Sequence, residues 1–307
     1  MKNKDMLGLK ETSKEEIGLI MDTAAVMKKI VCSDSKKSDY FSGKSMATLF
    51  YENSTRTKSS FEMACNYMGG TFSSLNVATS SVVKGESLAD TARTLDAFGT
   101  DVLVMRHSLS GAPHLIAPKV RASVINAGDG TNEHPTQALL DMFTIREKYG
   151  KLAGLTVALI GDIKFSRVAR SNIWGLSKCG VKIKICGPGT LLPAGIENIG
   201  GVTLCASLKE AVIGADAVMA LRLQRERMTS GLLPSLGEFS AFYGVDEQVL
   251  SYAKKGALLM HPGPVNRNVE LRDSALGSPQ NVIDEQVTNG VAVRMALMYL
   301  LRKSGGK

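Results

Sequence analysis

Three hydroxyls and two cations interleave in Ser54-Thr55-Arg56-Thr57-Lys58. An apolar run, Met46 to Tyr51, precedes them, and a stripe of Phe61, Ala64, Cys65 and Met68 at helical spacing follows. The cluster therefore sits where a strand hands over to a helix. Unpaired backbone N–H groups and the positive end of the helix dipole favour negative charge at that place. Ser54 or Thr55 suits the cap, and Arg56 brings a planar fork matched to phosphate oxygens. A plain capped helix with solvated charges accounts for one hydroxyl but not for the alternation. The run reads as a phosphate site.

Arg106 and four further clusters place polar side chains at element ends. A strand over Asp101 to Met105 delivers Arg106 to its end. His134-Pro135-Thr136-Gln137 opens a helix after the turn Ala127-Gly128-Asp129-Gly130. His134 and Gln137 can face one ligand, and a neutral imidazole and an amide donate hydrogen bonds without adding charge, which suits polarising a carbonyl; a histidine that only caps the helix is the other reading. Asp162 to Arg170 follows an apolar strand, where a dinucleotide-binding chain would carry Gly-x-Gly-x-x-Gly. Only Gly161 is present, with Phe165 and Arg167 in the turn, so Arg167 is placed to grip a small anion and Arg170 is solvated. In Arg222-Leu223-Gln224-Arg225-Glu226-Arg227, alternation sends Arg222 and Gln224 to one side. A solvated turn is the rival there, and Glu226 or Glu52 can hold nearby arginines. Last, His261-Pro262-Gly263-Pro264 combines two fixed prolines with a glycine that permits close approach, so its carbonyls can accept from a substrate amide. His261 itself is assigned no catalytic role.

The elements that must position these groups alternate. Helices are expected over Lys14 to Ile30, after Ser54, from Ser87 (with Asp90 as a capping box) to Phe98, and from Pro135 to Tyr149. Strands are expected at Thr71 to Val77 and Ala122 to Asn126, with a polar loop over Ala78 to Glu86. After a junction at Lys151 to Leu155 the pattern restarts: strands at Thr156 to Ile160, Val181 to Cys186, Asp216 to Leu221 and Ala257 to Met260, helices at Arg167 to Lys178 and Leu208 to Ile213, and an apolar closing helix, Val291 to Leu301. Such alternation predicts an α/β fold with two doubly wound parallel-sheet domains. Ligands bind outside the carboxyl ends of such strands, so the active site is expected in the cleft between the domains.

Composition bounds the function. The 307 residues fit two domains, and no apolar run is long enough to span a membrane. The charged start, Met1 to Lys10, lacks a signal-peptide core, which points to the cytoplasm. Five cysteines without Cys-x-x-Cys spacing and four histidines without a His-x-x-x-His pair argue against a disulfide frame or a metal site. The net charge of +8 is not gathered into a stripe, so small anionic substrates explain it better than nucleic acid.

Taken together, the clusters resemble the aspartate/ornithine carbamoyltransferase family, in its order and spacing, over nearly the whole chain. Arg222-x-Gln224-x-x-Arg227 and His261-Pro262-Gly263-Pro264 are similar to the aspartate branch; the ornithine branch typically carries a His-Cys-Leu-Pro turn, absent here. The resemblance implies carbamoyl transfer from carbamoyl phosphate to L-aspartate, the committed step of pyrimidine synthesis, with no cofactor or metal. It implies residues 1–150, with helix 291–303 packing back, as the carbamoyl-phosphate domain and 151–290 as the aspartate domain. Ser54, Thr55, Arg56 and Thr57 would hold phosphate; Thr57, Arg106 and His134 would polarise the carbamoyl oxygen; Gln137 and the backbone of Gly263 and Pro264 would meet the carbamoyl amide. Arg167, Arg222 and Gln224 would bind the aspartate carboxylates. Ser81 (or Ser80) and Lys84 would reach in from a neighbouring subunit, implying a homotrimer with shared sites and leaving room for regulatory chains. The catalytic set is then Arg56, Thr57, Lys84, Arg106 and His134. Lys58 stands where the family commonly has arginine, keeping charge but losing the fork. Ornithine transfer is the nearest rival; a nicotinamide-dependent oxidoreductase and a nucleic-acid binder are the others.

Overall fold

The structure, a computed structural model, describes residues 1–76, 86–228 and 231–302. The chain opens with α1 (Lys14–Val31), whose N-cap Ser13 accepts from the Glu16 amide at 3.2 Å while Glu16 returns to the Ser13 amide. There follow β1 (Ser45–Phe50), α2 (Thr55–Tyr67), β2 (Thr71–Asn76), α3 (Leu88–Ala97), β3 (Val102–His107), α4 (Ala112–Ile116), β4 (Ser123–Asp129) and α5 (Pro135–Tyr149). The pattern then repeats as β5 (Thr156–Gly161), α6 (Arg167–Lys178), β6 (Lys182–Cys186), β7 (Val202–Leu204), α7 (Leu208–Val212), β8 (Ala217–Leu221), α8 (Leu236–Tyr243), α9 (Glu247–Ser251), β9 (Leu258–Met260), α10 (Asp273–Leu276) and α11 (Ile283–Leu301).

Two compact units result: Met1–Leu140 with Val287–Lys307, and Asp141–Gln286. Each holds a parallel sheet, in the order β2-β1-β3-β4 in the first and β7-β6-β5-β8-β9 in the second. Parallel strands covered on both faces read as unbroken apolar runs, and Val102 to Met105 and Val157 to Ile160 are buried throughout. In the first unit Leu49, Leu103 and Val124 pack with Leu95 of α3 and Ile116 of α4. In the second, Ile160, Val218 and Leu259 pack with Val212 of α7 and Leu250 of α9. The last helix meets α2 within the first unit: Arg294 Nη1 donates to Ser60 Oγ at 2.7 Å, and its guanidinium lies over the Phe61 ring at 5.2 Å.

Several elements differ from the pattern expected of the sequence. The turn expected at Ala127 to Gly130 is instead strand as far as Asp129, because Gly128 takes φ 116° and lets β4 continue past a register shift opposite Met105 and His107. The closing helix begins at Ile283 rather than Val291, since Asn281 Oδ1 accepts from the Ile283 amide at 3.0 Å. Among the described residues, no helix is long and apolar enough to cross a membrane, and no three His, Cys, Asp or Glu are grouped to hold a metal ion.

Candidate active site

In the first sheet the chain runs from β1 to β2 on one side, then to β3 on the other. The crevice outside the carboxyl ends of β1 and β3 is therefore a topological switch point. The Ser54 to Lys58 cluster lies there, because only four residues separate the end of β1 from the start of α2. Ser54 takes the N-cap position, yet its hydroxyl makes no capping bond. The hydroxyls of Ser13, Ser87, Ser166, Ser207 and Ser235 all do so at their own helices. The cap side chain thus takes none of the first-turn amides of α2, the arrangement an incoming anion needs. Arg56 is exposed and Thr57 is buried beneath it in sequence.

Arg106 sits opposite Phe50 in the ladder. Its Nε lies 3.2 Å from Glu52 Oε2 and its Nη1 donates to the Ala127 carbonyl at 3.4 Å. Glu52 thus holds Arg106, as one of the two sequence candidates for that task. Next to it, burial pushes the His107 imidazole below its ordinary pKa, against the opposing pull of Glu52 and Asp129. Its Nδ1 accepts from the Leu109 amide at 2.9 Å, in keeping with a neutral ring.

His134 and Gln137 are both nearly buried at the start of α5. The residue that sets them there was not legible as functional: Asp129, fully buried. Its Oδ1 accepts from Asn126 Nδ2 at 2.8 Å and the Glu133 amide at 3.1 Å; its Oδ2 accepts from Asn132 Nδ2 at 3.0 Å and the Gly111 amide at 2.6 Å. Four donors on one carboxylate fix the turn that delivers His134. Glu133 in turn accepts from the Leu9 amide at 2.7 Å, tying in the N-terminal segment.

The second sheet repeats the scheme. β5 is followed by β6 on one side and β8 on the other, so the switch point lies outside β5 and β8. Arg167 opens α6 after the β5 loop and is buried, while Arg170 is exposed. Arg222 and Gln224 follow β8, and Arg222 Nη1 donates to Gln224 Oε1 at 3.1 Å. Glu226 takes both Arg222 terminal nitrogens, at 2.6 and 3.2 Å. Burial acts to raise the Glu226 pKa, but the Arg222 hydrogen bond and charge prevail and hold it low. Arg222 Nε is buried and has no partner among the described residues.

One carboxylate couples the two loops. Asp162, fully buried, accepts from the Phe165 amide through Oδ1 at 3.0 Å and from the Gln224 amide through Oδ2 at 3.1 Å. Arg227 adds a second tie, donating from Nη1 to the Phe165 carbonyl at 3.1 Å. Burial raises the Asp162 pKa, with the two amides and Arg227 opposing. The turn after β9 is braced as well: the His261 amide donates to Gln286 Oε1 at 3.0 Å, and Gln286 Nε2 donates to Asp141 Oδ1 at 2.7 Å. The Gly263–Pro264 bond of this turn is cis. Ser80, Ser81 and Lys84, expected to serve a neighbouring site, lie outside the described residues.

Each switch point thus presents arginine at or after the end of a parallel strand. Residues 4–147 match the model of the aspartate/ornithine carbamoyltransferase carbamoyl-P binding domain, and residues 153–301 match that of the Asp/Orn binding domain. The chain belongs to the aspartate/ornithine carbamoyltransferase family.

Relatives within the family are similar along their whole length. The aspartate carbamoyltransferase catalytic subunit of Ruminiclostridium cellulolyticum is 58% identical over 99% of this chain and 97% of its own. That of Acetivibrio thermocellus is also 58% identical, over 100% of this chain and 98% of its own. Among solved structures, aspartate transcarbamoylase from Trypanosoma cruzi in complex with carbamoyl aspartate and phosphate superposes with a TM-score of 0.88 at 32% identity, covering 97% of this chain and 95% of that one. The chain is thus an enzyme of this family with two parallel-sheet α/β domains.

Proposed function

We propose that the chain transfers the carbamoyl group of carbamoyl phosphate to the amino group of L-aspartate, giving N-carbamoyl-L-aspartate and phosphate, the committed step of pyrimidine synthesis. Two observations carry this reading: the first unit has a helix start that Ser54 does not cap, in the same sheet as Arg106, and the second unit has a switch point rich in arginine. Two mutually repellent anions are the substrates such a pair fits, and full-length relatives at 58% identity are named for that transfer.

In the proposed mechanism the α2 amides, with the side chains of Ser54, Thr55, Arg56 and Thr57, hold the phosphate. Thr57, Arg106 and His134 donate to the carbamoyl oxygen, while Gln137 and the Gly263 and Pro264 backbone orient the carbamoyl amide. Arg167, Arg222 and Gln224 bind the aspartate carboxylates. The uncharged amine attacks the carbonyl carbon, and negative charge grows on its oxygen as the tetrahedral centre forms. Donors already aimed there stabilise that charge, each contributing roughly 10²–10³ in rate. Collapse breaks the C–O bond to phosphate, already a good leaving group, and the departing phosphate takes the one proton that the amine releases. Holding both reactants in register supplies the remaining orientation.

Glutamate at 226 keeps Arg222 in place through a half-exposed ion pair. Its replacement by glutamine is expected to raise the aspartate KM about two- to fivefold, the scale of such pairs, while leaving phosphate affinity unchanged; steady-state kinetics check this.

The reading extends to a cytoplasmic homotrimer in which Ser81 and Lys84 complete a neighbour's site. Its support is the resemblance of the loop 78–86. Mixing Arg56→Ala chains with Lys84→Ala chains then restores activity, because about one site in three is intact in either mixed trimer. Verified mixed trimers without recovered activity contradict sharing.

The direct test supplies carbamoyl phosphate with either aspartate or ornithine and measures the carbamoylated product. Carbamoyl aspartate is expected. An ornithine side chain needs an acidic partner, and Glu226 is already committed to Arg222. Turnover with ornithine and none with aspartate overturns the reading.

A further inference from the structure

Glu270 belongs to none of the clusters above, yet its carboxylate is 1% exposed and lies against the turn after β9. Its Oε1 stands 3.2 Å from His261 Nε2 and accepts from the Asn266 amide at 2.8 Å. Those two partners flank Pro262 to Val265. A single oxygen atom therefore closes the turn at both ends. His261 transmits the tie inward, because its Nδ1 accepts from the Gly263 amide at 2.9 Å. That bond fixes the tautomer: an acceptor at Nδ1 places the ring proton on Nε2, where it is donated to Glu270. The backbone of Glu270 is itself anchored, its carbonyl accepting from the Val245 amide at 3.0 Å. Its other oxygen, Oε2, has no hydrogen-bond partner among the described residues. Burying a carboxylate costs stability that its hydrogen-bond partners must offset, and here one oxygen joins an imidazole at one end of the turn to a backbone amide at the other, which defines the place of the turn more closely than either bond alone.

We propose that Glu270, acting through His261, is a positioning residue that sets the Gly263–Pro264 carbonyls against the carbamoyl group. The inference rests on the reading above, in which those carbonyls meet the carbamoyl amide. Glu270 touches no substrate. Its effect falls on the reacting geometry, where a displacement near 1 Å costs on the order of 10² in rate, and not on phosphate, which the first unit holds.

The test compares wild type with Glu270→Gln, Glu270→Asp and Glu270→Ala. Glutamine keeps an oxygen able to accept from both His261 and Asn266; alanine removes it, and aspartate draws it back by one methylene. Glu270→Ala and Glu270→Asp are expected to lose about 10- to 100-fold in kcat, with the KM for aspartate and the affinity for inorganic phosphate within about threefold of wild type. Glu270→Gln is expected to recover kcat to within about threefold. Exchange of the Gly263 and Asn266 amides, followed by hydrogen–deuterium exchange, is expected to be at least about tenfold faster in Glu270→Ala. This readout does not need turnover, so a wild-type chain inactive on aspartate would sink the functional reading while the exchange rates still judged the turn. Wild-type kcat in folded Glu270→Ala or Glu270→Asp overturns the proposal. So do unchanged amide exchange, a loss in Glu270→Gln equal to that in Glu270→Ala, and failure of both shortened variants to fold, which would make the residue purely structural.

Discussion

Replacing Arg56 by alanine is expected to lower kcat/KM for carbamoyl phosphate by about 10³ and to weaken inorganic phosphate at least about tenfold. The side chain is exposed at the second position of α2. Its removal is therefore expected to move stability by less than about 0.5 kcal/mol, and the melting temperature serves as the control. The loss in rate follows from position. In the proposed site the α2 amides, to which Ser54 makes no cap bond, receive the phosphate, and Arg56 is the forked cation at that helix start. Lysine at 56 restores charge without the fork, so Arg56→Lys is expected to recover only part of the affinity. Isothermal titration with phosphate and initial rates measure both. An Arg56→Ala chain that binds carbamoyl phosphate as wild type does would refute the role.

Asp162→Ala is expected to lower kcat/KM for aspartate by about 10², although the residue itself is not proposed to touch substrate. One oxygen holds the Phe165 amide before Arg167 and the other holds the Gln224 amide after Arg222. Removing the carboxylate uncouples the two loops, and misplacement of about 1 Å has that cost in rate. Asp162→Asn keeps one acceptor but turns an NH₂ group toward the other amide, so it is expected to fall between wild type and Asp162→Ala. The pH dependence of stability has a definite sign. Burial raises the Asp162 pKa above its ordinary 3.8. The folded protein therefore holds the proton more tightly than the unfolded chain. That contribution is complete below pH 3.8 and is lost as pH rises through the raised value. Asp162→Ala lacks it, so the stability gap between variant and wild type is widest at acid pH and narrows above the window. Denaturant titrations across that range check the sign. A folded Asp162→Ala chain with unchanged kcat/KM would show that the loops keep their places without it.

Groups that carry charge toward a ligand were legible in the sequence, because they lie where an apolar strand stops. Ser54 to Lys58, Arg106, His134, Arg167 and Arg222 stand at carboxyl ends of parallel strands, as the alternation of elements predicts. The groups that hold them were not. Asp129, Asp162 and Glu270 act through backbone amides, and Asp162 reaches an amide 62 residues away; no spacing rule reports such a partner. Short elements also escaped. Helices α4, α9 and α10 have five, five and four residues, short enough for a helical stripe to be missed. The three-residue edge strand β7 exposes Thr203 and Leu204, so it lacks the apolar run of its neighbours. The first half of α11 was hidden by Asp284, Glu285 and Gln286 in its opening turn, where acidic residues favour a helix start but break an apolar pattern.

The most direct measurement is a crystal structure with an analogue that joins a phosphonate to aspartate. The phosphonate is expected on the α2 amides with Arg56, its carbonyl oxygen near Arg106 and His134, and both carboxylates on Arg167 and Arg222. An analogue bound elsewhere, with those side chains untouched, would contradict the account.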